Sequence, residues 1–237
     1  MAILLDQKKI LGVCRLRFSP MKADCTYLAG ASAWVLEAPT SITLTAEREE
    51  SKEILETKLD NTYCTNLTIP GHDKYTTVEI EFCNICTNAF VSIFGWTSYT
   101  AANGDVIGFG RPTSSTAVSF CSTAGFSKFT LEVFSPLNAT SGFCASGTTQ
   151  SYLMLALPIL TDIAVTSPTF STDGTVRFKM TGKVYGNVNY NNGPFNDFPG
   201  TSMAPGDNEV YVALPSNYVL PTATCAATAI PAQTGES

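Results

Sequence analysis

With 237 residues and 25.3 kDa, the chain has room for one large domain, or for a core domain with extended arms. Hydrophobic residues at 44% exclude a disordered chain, while charged residues at 14% fall well below the roughly 25% of ordinary soluble domains. Fourteen Lys and Arg against twenty Asp and Glu give a net charge of −6, which argues against a stable grip on phosphate backbones but leaves room for transient contact.

So little charge has two readings: a surface that ends up against other subunits, or a β-sandwich rich in Ser and Thr. The opening Met1-Ala-Ile-Leu-Leu-Asp-Gln-Lys-Lys has too short an apolar stretch for a secretory signal. The longest apolar run, Tyr152 to Leu160, contains Pro158 and is far short of the roughly 18 residues of a membrane span. A soluble protein made in the cytosol is the expectation. Its eight cysteines (Cys14, Cys25, Cys64, Cys83, Cys86, Cys121, Cys144, Cys225) are then expected as free thiols, mostly buried.

Along the chain, alternation marks half-buried strands. Ile42, Leu44 and Ala46 oppose Thr43, Thr45 and Glu47. The stretch 47–60 favours helix by propensity, but its apolar stripe is thin, and it reads as a strand end and an exposed loop. Val78, Ile80 and Phe82 oppose Thr77, Glu79 and Glu81. Ile85, Ala89 and Ile93, beside Phe90 and Phe94, predict one short helix, capped by Asn84 or Thr87 and ended by Gly95.

Residues 98–127, with Asp105 and Arg111 as their only charges, read as an arm. Phe129, Leu131 and Val133 oppose Thr130 and Glu132; Tyr152 to Leu157 does not alternate and should be buried on both faces. Pro168 points to an edge or a short strand, and Asp173-Gly174 to a tight hairpin turn. Val176, Phe178 and Met180 oppose Thr175, Arg177 and Lys179. Residues 186–209 are rich in Asn, Gly and Pro, and Tyr211, Val212, Leu214, Tyr218, Val219 and Leu220 are apolar enough to require docking on something.

No catalytic constellation emerges, and the chain reads as a non-enzyme with no cofactor. His72, the only histidine, sits in a Pro70-Gly-His-Asp turn, and no nucleophile elbow surrounds a serine. Cys83-x-x-Cys86 has zinc or redox spacing, but a zinc site needs two further ligands, which Cys64 and Cys121 would supply only through tertiary chance. Glu47, Glu79, Glu81 and Glu132 stand on polar strand faces; paired carboxylates can hydrolyse glycosides, yet the aromatic cleft this needs is not evident with Trp34 and Trp96 as the only tryptophans. Asn66-Leu-Thr68 and Asn138-Ala-Thr140 match the glycosylation pattern, which without a secretory route signifies exposure alone.

The order of elements carries a resemblance. A strand in Ala38-Pro-Thr-Ser-Ile-Thr-Leu-Thr-Ala-Glu is followed by a charged stretch and Cys64, then Thr77-Val-Glu-Ile-Glu-Phe-Cys, a helix ending at Gly95, and Phe129-Thr-Leu-Glu-Val-Phe. Tyr152-Leu-Met-Leu-Ala-Leu-Pro, the Asp-Gly turn, Thr181-Gly-Lys and Asn191-Asn-Gly-Pro-Phe-Asn-Asp complete the set. Over roughly residues 30 to 200 this resembles the major tail protein, or tail tube protein, of long non-contractile-tailed bacteriophages (siphophages), nearest to those of actinobacterial phages.

The resemblance implies a mainly β fold, a tail-tube-type β-sandwich or barrel with one flanking helix and extended loops. Residues 1–29 would form an N-terminal arm and first strand, 30–204 the tail-tube domain and 205–237 a C-terminal arm. It implies a structural virion protein of the tail, made and assembled in the host cytoplasm. Its subunits would form hexameric rings stacked into a tube for ejection of double-stranded DNA, with arms at residues 1–20, 98–127 and 205–231 clasping neighbouring subunits and rings. Its partners would be other copies of itself, a tape measure protein in the lumen, terminator and distal tail proteins at the ends, and DNA in transit, with no membrane insertion.

A wall that attracted phosphates would stall DNA, so Glu47, Glu79, Glu81 and Glu132 are candidates for an acidic lumen lining, with solvent exposure outside the tube as the alternative. The Arg177 and Lys179 face would then lie elsewhere. Other readings are a different virion β-protein, such as a capsid decoration or minor tail protein, and a metal-binding module held by cysteines.

Overall fold

The computed structural model describes residues 12–57, 63–83, 86–104, 106–110, 128–137, 144, 151–166, 168–170, 176–197, 207–215, 218–224 and 226–232. Among these, the first half of the chain forms strands β1 (Arg15–Met21), β2 (Ser32–Glu37), β3 (Ser41–Arg48), β4 (Lys52–Thr57), β5 (Tyr63–Ile69) and β6 (Asp73–Phe82). Helix α1 (Thr87–Phe94) follows, then β7 (Thr97–Thr100) and β8 (Val106–Gly110). The second half supplies β9 (Lys128–Leu137), β10 (Ser151–Val165), β11 (Thr169–Phe170), β12 (Val176–Tyr185), β13 (Val210–Ala213) and β14 (Ala227–Ala229). The protein is mainly β.

One large antiparallel sheet runs β14-β2-β1-β9-β10-β12-β6-β3, with β11 paired to β12 and β13 to β10. Its path ends at β14 and β3 and does not close into a barrel. The fifteen-residue β10 is the axis of the sheet. One edge of β10 pairs with β9; the other pairs with β13 along Leu153–Ala156 and with β12 from Ile159 onward. Irregularities at Leu157/Leu160 and Thr161/Ala164 redirect the strand between these partners.

Two clusters of apolar side chains fill the two faces. On one face Leu16, Phe18, Trp34 and Leu36 from one end of the sheet share a core with Val78, Ile80, Phe82, Phe178 and Met180 from the other, and α1 inserts Ala89, Phe90, Ile93 and Phe94. The edge-on Phe90 ring meets Phe82, Phe94, Trp96 and Phe178, each at centroid distances of 4.8–6.3 Å. The helix stops at Gly95 in the left-handed region (φ 66), as the sequence predicts. Its N-cap is Cys86, without a side-chain cap bond, and Thr87 is already helical. Asn84 and Ile85 lie outside the described residues.

The second face of β1, β9 and the first half of β10 is covered by residues 187–197 and by the segment from 207 onward. Tyr190, Leu214, Leu220 and Ile230 are buried there with Met21, Phe134, Tyr152 and Met154. Leu214 and Leu220, with Val212 and Tyr218 partly buried, dock on the chain's own sheet, whereas Tyr211 and Val219 of the same tail stay exposed; β13 and β14 of the expected C-terminal arm are strands of that sheet. The same cover buries all of Phe129–Leu137, so β9 has no polar face; the expected exposure of Thr130 and Glu132 is overturned.

The alternations in β3, β6 and β12 hold: Val78, Ile80, Phe82, Phe178 and Met180 face the core, with Ile42 and Leu44 packed against it. Tyr152, Leu153, Met154, Ala156 and Leu157 are buried on both faces of β10. The stretch read as a strand end and loop after Glu47 instead forms the β4–β5 hairpin, because β5 supplies a complete cross-strand partner from Ile69 to Tyr63. Within the expected arm of residues 98–127, the described residues pair instead as strands β7 (which begins at Thr97) and β8 of a small two-stranded sheet. The Asp173-Gly174 turn lies outside the described residues, although β11 and β12 pair on either side of it.

The free-thiol expectation fails for one pair. Cys14, at the entry to β1, and Cys144, in the β9–β10 connection, are joined in a disulfide with Cα atoms 5.2 Å apart. The strand order brings them together: β1 lies beside β9, and Cys14 N–H donates to the Phe134 carbonyl.

Candidate functional site

Two charged arrangements stand out, one buried and one exposed. The buried one starts from Arg17, whose β1 neighbours Leu16 and Phe18 point into the first core while its own side chain points into the second face. Register places it directly opposite Glu132 on β9. Arg17 Nε donates to Glu132 Oε2 at 2.6 Å, and its Nη2 donates to Asp197 Oδ2. The Tyr190 hydroxyl donates to Glu132 Oε1 at 3.0 Å, and the Tyr218 hydroxyl to Asp197 Oδ2 at 3.1 Å. The guanidinium carbon lies 4.0 Å from the Phe195 ring centroid and 5.1 Å from that of Phe134.

The side chains of Arg17 and Glu132 are 3% and 0% exposed, so each depends on the other for solvation. Burial, the largest single influence, would lower the Arg17 guanidinium, but Glu132, Tyr218 and Asp197 together outweigh it and the net shift is upward. Burial pushes the Glu132 carboxyl up from the usual carboxylate range, with Arg17 pulling against it. The 2.6 Å Nε–Oε2 contact is as short as a charge-assisted hydrogen bond. The network fastens the 187–197 segment and Tyr218 to the centre of the sheet.

The exposed arrangement lies on the face of β3, β6 and β12 opposite α1. Directly paired residues project to the same side of a sheet. Ser41 pairs with Glu81, Thr43 with Glu79 and Glu47 with Tyr75, while Lys179 pairs with Glu81, Thr181 with Glu79 and Lys183 with Thr77. Glu47, Glu79 and Glu81 therefore share one face, as the sequence suggests, but Arg177, Lys179 and Lys183 share it too.

Lys179 Nζ lies 2.9 Å from Glu79 Oε2, Arg177 Nη1 lies 4.0 Å from Glu81, and Lys183 lies 3.0 Å from Asp162. The Asp162 bond holds Lys183 above its ordinary value. Four carboxylates (Glu47, Glu79, Glu81, Asp162) against these three cations leave one net negative charge, a near-neutral ladder rather than an acidic wall.

The expected acidic lining is thus corrected twice. Glu132 is buried and paired, because a later segment covers its face. Glu79 and Glu81 cannot be separated from Arg177 and Lys179, because register alternates the strands that carry them.

Arg17, Asp197 and Tyr190 were not singled out by sequence. The available signal was a lone cation between Leu16 and Phe18 and a lone carboxylate between Leu131 and Val133, two charges that can enter apolar strands only as a pair.

Of the remaining candidates, Cys86 is buried in the core and Cys83 is exposed, so the C-x-x-C pair diverges. Among the described residues, no group of three or more His, Cys, Asp or Glu is placed to hold a metal ion. His72 is 68% exposed in its turn, 3.7 Å from Glu49. No helix among the described residues is long and apolar enough to cross a membrane. No protein-family model matches the chain, and no curated protein matches it.

Proposed function

We propose that this chain is a structural subunit that assembles with copies of itself, of the tail-tube kind, in stacked hexameric rings around a path for double-stranded DNA. The observation that carries the reading is the open sheet. Among the described residues no strand pairs with the outer edge of β3, eight residues long and largely exposed. A long exposed edge is a template for another strand unless something blocks it. The near-neutral ladder beside that edge is compatible with DNA in transit, since its cations are matched by carboxylates rather than clustered. The chain's low charge agrees with a surface that largely meets other protein.

Electron microscopy of the purified protein tests the reading: rings or hollow filaments support it, and monodisperse monomers under all conditions overturn it. The edge can be tested directly. Successive residues of an edge strand alternate between an N–H bonded inward and one facing outward. Proline at the outward position of the pair Thr43 and Leu44 should leave the fold intact and abolish assembly, whereas proline at the inward position should also unfold the edge. Assembly undiminished in both variants would remove β3 from the interface.

A further inference from the structure

The Cys14–Cys144 pair is asymmetric. Cys14 is 0% exposed and packed with Phe134, Tyr152 and Leu214, whereas Cys144 lies partly open in the β9–β10 connection. The bridge spans a sequence separation of 130 and ties Cys144 to the start of β1.

We propose that this pair is a thiol–disulfide exchange site for small-molecule disulfides such as glutathione disulfide, with Cys144 the entry sulfur and Cys14 the resolving one. In the reduced protein the Cys144 thiolate attacks one sulfur of the small disulfide. That S–S bond breaks, a mixed disulfide forms on Cys144, and the departing thiolate takes up a proton equivalent to the one Cys144 lost. The Cys14 thiolate then attacks the Cys144 sulfur, closing the protein bridge and releasing the second small thiol, which takes up the remaining proton. Two protein thiols are oxidised by two electrons, and one small disulfide is reduced to two thiols. The order follows from relative access: Cys144 is partly exposed in the folded protein, whereas Cys14 is 0% exposed. The closed bridge is a staple whose state follows the surrounding thiol poise, and it is independent of the assembly reading.

The test uses the full chain, reduced and then exposed to glutathione disulfide while folded, followed by non-reducing peptide mapping. Wild type should give the linked Cys14–Cys144 peptides. Cys14→Ser should stop at glutathione on Cys144, and Cys144→Ser should leave Cys14 unmodified until the protein is denatured. Reductant should lower the wild-type thermal midpoint by roughly 5–15 °C and leave that of either single variant unchanged. Because the wild-type shift needs no variant, misfolding of a mutant does not protect the proposal. Glutathione on Cys14 of folded Cys144→Ser, no linked peptide in oxidised wild type, or a wild-type midpoint indifferent to reductant would each overturn it.

Discussion

Arg17 and Glu132 are the residues whose environment departs furthest from what their chemistry prefers. A buried ion pair adds little net stability over an apolar pair of the same shape, but breaking it strands a charge. Arg17→Leu should therefore destabilise the protein by about 3–5 kcal/mol, and Arg17→Leu with Glu132→Leu should cost clearly less than the single change. Urea unfolding of the two variants checks this; equal losses would mean that Asp197 and Tyr190, rather than the pair itself, dominate the network. Alternation could not reveal the pair. It reports which residues differ along a strand, and Glu132 differs from Leu131 and Val133 whether its face meets water or residues 187–197.

At the scale of elements, the legible parts were those with a single buried face. β6 and β12 alternate cleanly because α1 covers one side and solvent the other, and Gly95 marks the helix end because a left-handed residue is needed there. The β4–β5 pairing was not legible, since Lys52–Thr57 has helix-favouring residues and acquires strand geometry from its partner strand Tyr63–Ile69. The irregularity of β10 was equally hidden. Gly182 sits against it: a Cβ there would come 2.6 Å from Leu160 Cδ1 and 3.3 Å from the Thr161 carbonyl. Gly182→Ala should cost about 1–3 kcal/mol by forcing a buried leucine out of place. A thermal midpoint unchanged by this substitution would show that the β10–β12 contact has slack.

Across the whole molecule, the two-sided burial of the sheet links stability to tyrosine ionisation. Burial drives the phenols of Tyr27, Tyr190 and Tyr218 far above their ordinary value of 10.0, and burial with Glu209 raises Tyr211 to about 12. In the unfolded chain these groups would lose protons near 10. Their contribution is thus fully present below that pH and is lost as pH rises toward the folded-state values. In an alkaline titration, part of the tyrosinate absorbance should appear only together with loss of the folded circular-dichroism signal; all nine tyrosines titrating near pH 10 in folded protein would contradict the burial described here.

The position of β1 has a consequence for synthesis on the ribosome. Arg17 finds Glu132 across 115 residues of sequence and Asp197 across 180. At about 5–20 residues per second, the first of these central strands waits on the order of ten to forty seconds for the last of its partners to emerge. Throughout that interval Leu16, Phe18 and Met21 have no finished core to enter, and an unpaired guanidinium stands among them. Until residue 197 is made, β1 can pair with β2 but cannot complete either core, which leaves its apolar residues open to misassociation.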